Sequence, residues 1–117
     1  MTGFLASVAS PAEARIVHDA GADIIDLKAP AAGALGALPA ATIRAVVARL
    51  GRQACLSATV GDLPPQPALL AAAAARTAAL GVDFVKVGLF PGGDAEACLA
   101  ALGAVAAGGV RIVAVLF

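Results

Sequence analysis

The sequence predicts an α/β fold built on a parallel sheet, and three observations carry that prediction. Short apolar runs of strand length alternate with alanine-rich segments of helix length, as in repeated βα units. The switches between them are marked by glycine, proline or a capping residue. Two of the apolar runs, GADIIDLKAP at 21–30 and GVDFVKVGLF at 81–90, repeat one geometry.

Taken in order, residues 4–9 read as the first strand. Ser10 then caps a helix that carries Pro11 in its first turn and Glu13 three residues after the cap, a capping box, and that ends at Gly21. The second strand spans about 23–28. Its side chains alternate between faces, so Asp26 and Lys28 share one face, at the C-terminal end where parallel sheets usually hold their ligands. The following APAAGALGALP reads as a tight loop, with Gly33 and Gly36 passing close to the mouth. A second helix over about 39–50 puts Ile43, Val46, Val47 and Leu50 on one face and turns Arg44 and Arg49 away. The third strand, about 54–60, carries Ser57 and Thr59 on its polar face and leads into Asp62. Pro67 begins the third helix, and Gly81 closes it.

The fourth strand, 83–89, sets Phe84, Lys86 and Gly88 against Val85, Val87 and Leu89. Asp94 caps a fourth helix running to about residue 107, and GGVRIVAVLF begins a fifth strand within which the chain stops. A parallel strand normally has neighbours on both sides, so the chain reads as cut. Residues 1–117 form one domain in this reading. Five parallel strands and four helices fit a little over half of a (β/α) barrel of about 250 residues. A small free-standing flavodoxin-like sheet would also use five strands.

Composition narrows the function classes. Eight basic and eight acidic residues give zero net charge, which argues against nucleic acid or an anionic membrane surface as partner. No apolar run reaches the roughly 18 residues of a membrane span. The first ten residues lack the basic region and long apolar core of a signal peptide, so a soluble cytoplasmic protein is expected. Cys55 and Cys98 match no metal-ligand spacing and read as buried reduced thiols.

The lysines are the sharpest signal. Lys28 and Lys86 are the only two, each near the end of an apolar strand, whereas the six other cations are arginines. Arginine stays protonated, but a desolvated lysine can lose its proton and attack a carbonyl to form an imine. Two lysines facing one cavity suggest imine formation plus proton transfer or phosphate binding. The structural alternative pairs Lys28 with Asp26, or lets both amines snorkel to the rim. Asp26 itself reads either as an orienting or acid-base group or as half of a buried ion pair. Asp62 reads either as a group at the mouth or as a turn former. His18, near the end of the first helix, suits the helix dipole. Gly33, Gly36, Gly88, Gly92 and Gly93 could offer N–H groups to phosphate, though no P-loop or dinucleotide fingerprint accompanies them.

Together GADIIDLKAPAAGALGA, LSATVGDLP and GVDFVKVGLF, in this order and spacing, resemble the (5-formylfuran-3-yl)methyl phosphate synthase family of methanofuran biosynthesis. The resemblance covers essentially the whole chain. It implies a TIM barrel that condenses two glyceraldehyde 3-phosphate molecules into a phosphorylated furan aldehyde, with loss of phosphate and water. Like class I aldolases, such a lyase works through a lysine imine and needs neither metal nor cofactor. The imine-forming lysine of the family matches Lys28, its proton-accepting lysine matches Lys86, and Asp26 matches a family aspartate. Ser7, Ser57, Thr59, Asp62 and Gly88 are the candidate substrate-binding residues.

Phe90 and Pro91 depart from the family, which tends to have an aromatic followed by glycine. Length is the larger departure, because the later strands of the family carry further functional acids and lysines. The alternatives are another Schiff-base aldolase of sugar phosphates, or a non-catalytic half-barrel that associates through its exposed fifth strand. A homo-oligomer is expected, because an open sheet edge favours pairing with another chain.

Overall fold

A computed structural model describes residues 2–117; Met1, the first residue of the expected 1–117 domain, lies outside the described residues. Five strands alternate with four helices: β1 (Leu5–Val8), α1 (Pro11–Asp19), β2 (Ile24–Leu27), α2 (Ala40–Leu50), β3 (Cys55–Thr59), α3 (Pro67–Ala78), β4 (Phe84–Leu89), α4 (Ala95–Ala107) and β5 (Ile112–Leu116). A short 3-10 turn, Pro30–Ala32, interrupts the loop between β2 and α2.

All neighbouring strands pair in parallel, in the order β1-β2-β3-β4-β5. That order separates the two architectures the sequence left open. A flavodoxin-like sheet runs 2-1-3-4-5, whereas consecutive strands of a (β/α) barrel lie side by side in chain order. The sheet is open, with β1 and β5 as its edges.

Helices cover one face only. Val8, Ile25, Leu27, Leu56 and Ala58 pack there with Ala14 of α1 and with Ile43, Val46 and Leu50 of α2. Val85, Val87 and Leu89 pack with Leu70, Ala73 and Ala74 of α3 and with Cys98 and Leu102 of α4. The alternate strand residues, among them Ser7, Asp26, Ser57, Thr59, Lys86 and Gly88, therefore line the other, concave face. Leu5 and Val113, near the two edges of that face, are 47% and 41% exposed. No helix among the described residues is long and apolar enough to cross a membrane.

Local chemistry fixes the helix starts. The Ser10 hydroxyl accepts from the Glu13 N–H at 3.1 Å, while Glu13 Oε1 accepts from the Ala9 N–H, one residue before the cap, at 2.8 Å. Asp94 caps α4 through Ala97 N–H at 3.0 Å. Two expectations are corrected. The second strand ends at Leu27, so Lys28 lies one residue beyond it, although its N–H still donates to Val8 C=O at 3.0 Å. Cys98 is buried as expected, but Cys55 is only half-buried.

Candidate active site

Asp26 is the centre of the concave face. It is fully buried, and a buried carboxylate is tolerated only when its oxygens are satisfied. Three strands supply the donors: Ser57 Oγ of β3 at 2.6 Å, Ser7 Oγ of β1 at 3.2 Å, and Lys86 Nζ of β4 at 3.2 Å. Ser7 and Ser57 are the register partners of Asp26 in the sheet, so the strand ladder itself aims both hydroxyls at it. Lys86 comes from the strand after next and completes an ion pair whose amine side is 19% exposed.

The two lysines are thus in different states. Asp26 pairs with Lys86 and not with Lys28, two residues along the chain and just past the end of β2. Lys28 has no ion pair or side-chain hydrogen bond among the described residues. It lines a small cleft of about 110 Å³ with Ser7, Val8, Ala9, Glu13 and Pro30. Lys86 and Ser57 line a separate cavity of about 240 Å³ whose remaining walls, Leu5, Ile24, Phe84 and Val113, are apolar.

Thr59, Asp62 and Gly88 have other engagements than the expected contacts with substrate. The Thr59 hydroxyl is buried and donates to Gly36 C=O at 2.8 Å. Asp62 accepts from the N–H groups of Ala34 at 3.0 Å and Leu35 at 2.7 Å. Both side chains hold the loop between β2 and α2 down on the sheet. Gly33 needs its glycine, because its φ of 131° is left-handed and a Cβ there would run into the Asp62 carboxylate. Gly88 is buried in the β4–β5 ladder, and a Cβ on it would lie 2.6 Å from Leu35 Cδ1 and 2.9 Å from the Phe90 ring.

The sequence reading missed the apolar roof this creates. Leu35 is 4% exposed above Gly88, and Phe90 stacks on Phe117 with ring centroids 4.4 Å apart and planes 9° from parallel. It also missed a pair of strand-start anchors. Asp23 accepts from Phe4 N–H at 2.6 Å, and Asp83 accepts from Leu56 N–H at 2.8 Å. The signal was present in the repeated Gly-x-Asp phrase, Gly21-Ala22-Asp23 and Gly81-Val82-Asp83, both of whose glycines have positive φ. His18 sits at the end of α1 beside Asp19, outside the concave face. Cys55 faces inward at the start of β3, where burial, and then the Asp83 carboxylate, push its thiol above the ordinary value of 9.0 and Arg111 partly offsets them.

The profile of one family, described as 4-HFC-P synthase, matches residues 4–117. The chain belongs to the 4-HFC-P synthase family. Among its relatives is a Methylorubrum extorquens protein that bears the (5-formylfuran-3-yl)methyl phosphate synthase name provisionally, 49% identical over 97% of this chain and 45% of its own length. The (5-formylfuran-3-yl)methyl phosphate synthase of Archaeoglobus fulgidus is 42% identical over 79% of this chain and 40% of its own. That of Methanocaldococcus jannaschii is 42% identical over 67% and 33%. The family member described here therefore spans less than half the length of these relatives. Among solved structures, dihydrodipicolinate synthase from Agrobacterium tumefaciens superposes with a TM-score of 0.74 over 96% of this chain and 43% of its own, at 17% identity. At that identity the likeness is one of fold.

Proposed function

We propose that this chain provides the imine-forming half of a (5-formylfuran-3-yl)methyl phosphate synthase, with Lys28 as nucleophile, Lys86 as the proton-transfer amine and Asp26 as a positioning residue. The observation that carries the reading is the contrast between the lysines. Lys86 is fixed by a buried carboxylate, whereas Lys28, in a cleft at the end of β2, has no ion-pair partner to leave before it attacks. The names of the relatives supply the product class, and the sequential parallel sheet suits the first part of a closed (β/α) barrel.

Chemically, the Lys28 nitrogen adds to the aldehyde carbon of glyceraldehyde 3-phosphate, and the carbonyl oxygen leaves as water. The resulting protonated imine draws electrons from the adjacent C–H bond. Lys86 takes that proton, and the enamine carbon attacks the second aldehyde. Loss of phosphate and further water then yields the furan ring, and cleavage of the C–N bond to Lys28 releases the product and restores the amine. Asp26 touches no solvent and acts through Lys86, while Ser7 and Ser57 keep its two oxygens oriented.

Borohydride trapping with glyceraldehyde 3-phosphate, followed by peptide mass analysis, tests this directly, because the chain has only two lysines. The expected adduct is on Lys28 and disappears in Lys28→Arg. An adduct on Lys86 would exchange the two roles. Trapping with other sugar phosphates but not with this triose would make the chain a different Schiff-base aldolase, and no lysine adduct at all would leave it a non-catalytic half-barrel.

A further inference from the structure

Glu13 closes its capping box one residue early. A reciprocal box would return the carboxylate to the N–H of the cap residue, Ser10. Here Oε1 accepts instead from Ala9 N–H at 2.8 Å, while the Ser10 hydroxyl still holds Glu13 N–H at 3.1 Å. Ala9 follows the last residue of β1, so the carboxylate is drawn off the helix and onto the end of the sheet. The backbone of Lys28 is fastened to the same peptide group, because its N–H donates to Val8 C=O at 3.0 Å. Both residues then line one cleft of about 110 Å³. Among its other walls, Ser7, Val8, Ala9 and Pro30, only Ser7 has a polar side chain, and that hydroxyl is committed to Asp26. Glu13 Oε2 has no hydrogen-bond partner among the described residues, and the side chain is exposed. Besides the amine itself, Glu13 is thus the one proton-exchanging group in the cleft.

We propose that Glu13 is the acid–base catalyst for formation and hydrolysis of the Lys28 imine, a role that rests on the reading of Lys28 given above. The Lys28 nitrogen attacks the aldehyde carbon, and the carbonyl π pair moves to oxygen. Glu13 takes a proton from the now positive nitrogen and passes it to that oxygen, which gives a neutral carbinolamine. Recharged with one proton from solvent, Glu13 then protonates the hydroxyl. The C–O bond breaks, water leaves, and the nitrogen lone pair forms the C=N bond, leaving a protonated imine beside a carboxylate. Hydrolysis runs through the same steps in reverse. The bond to Ala9 N–H holds one carboxylate oxygen still, and the other is free for this transfer.

Glyceraldehyde 3-phosphate is the probe. Borohydride added at successive times after mixing gives the rate at which the Lys28 adduct appears and the fraction it finally reaches. Glu13→Gln can still accept from Ala9 N–H and so keeps the helix start, but it carries no transferable carboxyl proton. It is expected to slow formation about 100-fold, the lower end of what a positioned acid–base group contributes. The final trapped fraction should not change, because a proton-transfer catalyst speeds both directions equally. Hydrolysis, followed by trapping after free aldehyde is removed, should slow by the same factor. Glu13→Ala loses the Ala9 bond as well and should form the adduct no faster than Glu13→Gln. A parental rate in Glu13→Gln, even with Glu13→Ala slow, would make Glu13 a cap only and overturn the proposal while leaving Lys28 as nucleophile. A final fraction that falls along with the rate would also overturn it, since the residue would then be stabilising the imine and not moving its protons. No Lys28 adduct in the parent overturns both readings.

Discussion

Asp26 is buried, so its charge is supported by Lys86 and the two serine hydroxyls. Removing one member of such a pair leaves the other uncompensated, which costs more than the pair contributes. Asp26→Asn keeps the shape and strands the Lys86 ammonium; a loss of about 3 kcal/mol in urea denaturation is expected. A loss below about 1 kcal/mol would put the pair in the class of exposed bridges.

Cys55 gives a pH dependence of definite sign. Its folded thiol is raised above 9.0, so the thiol is neutral in both states below that value and folding is unaffected there. As pH climbs past 9.0 the unfolded thiol ionises first, and stability falls until the folded thiol ionises too. Thermal melts from pH 8 to about 10.5 should show this extra decline in the parent and not in Cys55→Ser. At this scale, alternation in the sequence was enough to place Asp26, Ser57 and Lys86 on one face. It could not choose the partner of Asp26, because the period of two gives a face and not a register. The partner that won lies 60 residues away.

Among the elements, helix starts were the most legible, because Ser10, Pro11 and Asp94 act on backbone within a few residues. The loop after β2 was the least legible. Its glycines announced a tight path, but its anchor Asp62 lies 28 residues from Ala34, and nothing in an alanine and glycine stretch singles out Leu35. The strand-start aspartates are intermediate. Each fixes the backbone of the preceding strand through one charge-assisted bond, and that of Asp83 to Leu56 N–H is partly buried. Asp83→Ala should therefore destabilise by about 1.5–3 kcal/mol. Chemical denaturation can read this, and an effect within about 0.5 kcal/mol of zero would make the anchor ornamental.

For the whole molecule, alternating strand and helix signals pointed to an α/β class and the family resemblance to a barrel, and the sequential strand order is seen directly in the structure. Repeats of β and α are compatible with several windings, and the decision lies in long-range pairing. The sequential order leaves two parallel edges, with Leu5 and Val113 exposed on the concave face. Unpaired edges beside exposed apolar side chains favour association. Sedimentation should show a mass that rises with concentration, and Val113→Lys should lower it. A strictly monomeric parent at high concentration would count against that.

The correspondence between β1-α1-β2 and β3-α3-β4 also bears on how such a chain can be built. The two units share their anchors and carry opposite charges at the inward position where they meet, aspartate in the first and lysine in the second. Two copies of the first unit would bury facing carboxylates, and two copies of the second would bury facing ammonium groups. Opposite charge at that position lets the two halves neutralise each other across the sheet. A protein assembled by doubling either half would keep every helix and strand signal and still lack a neutral centre.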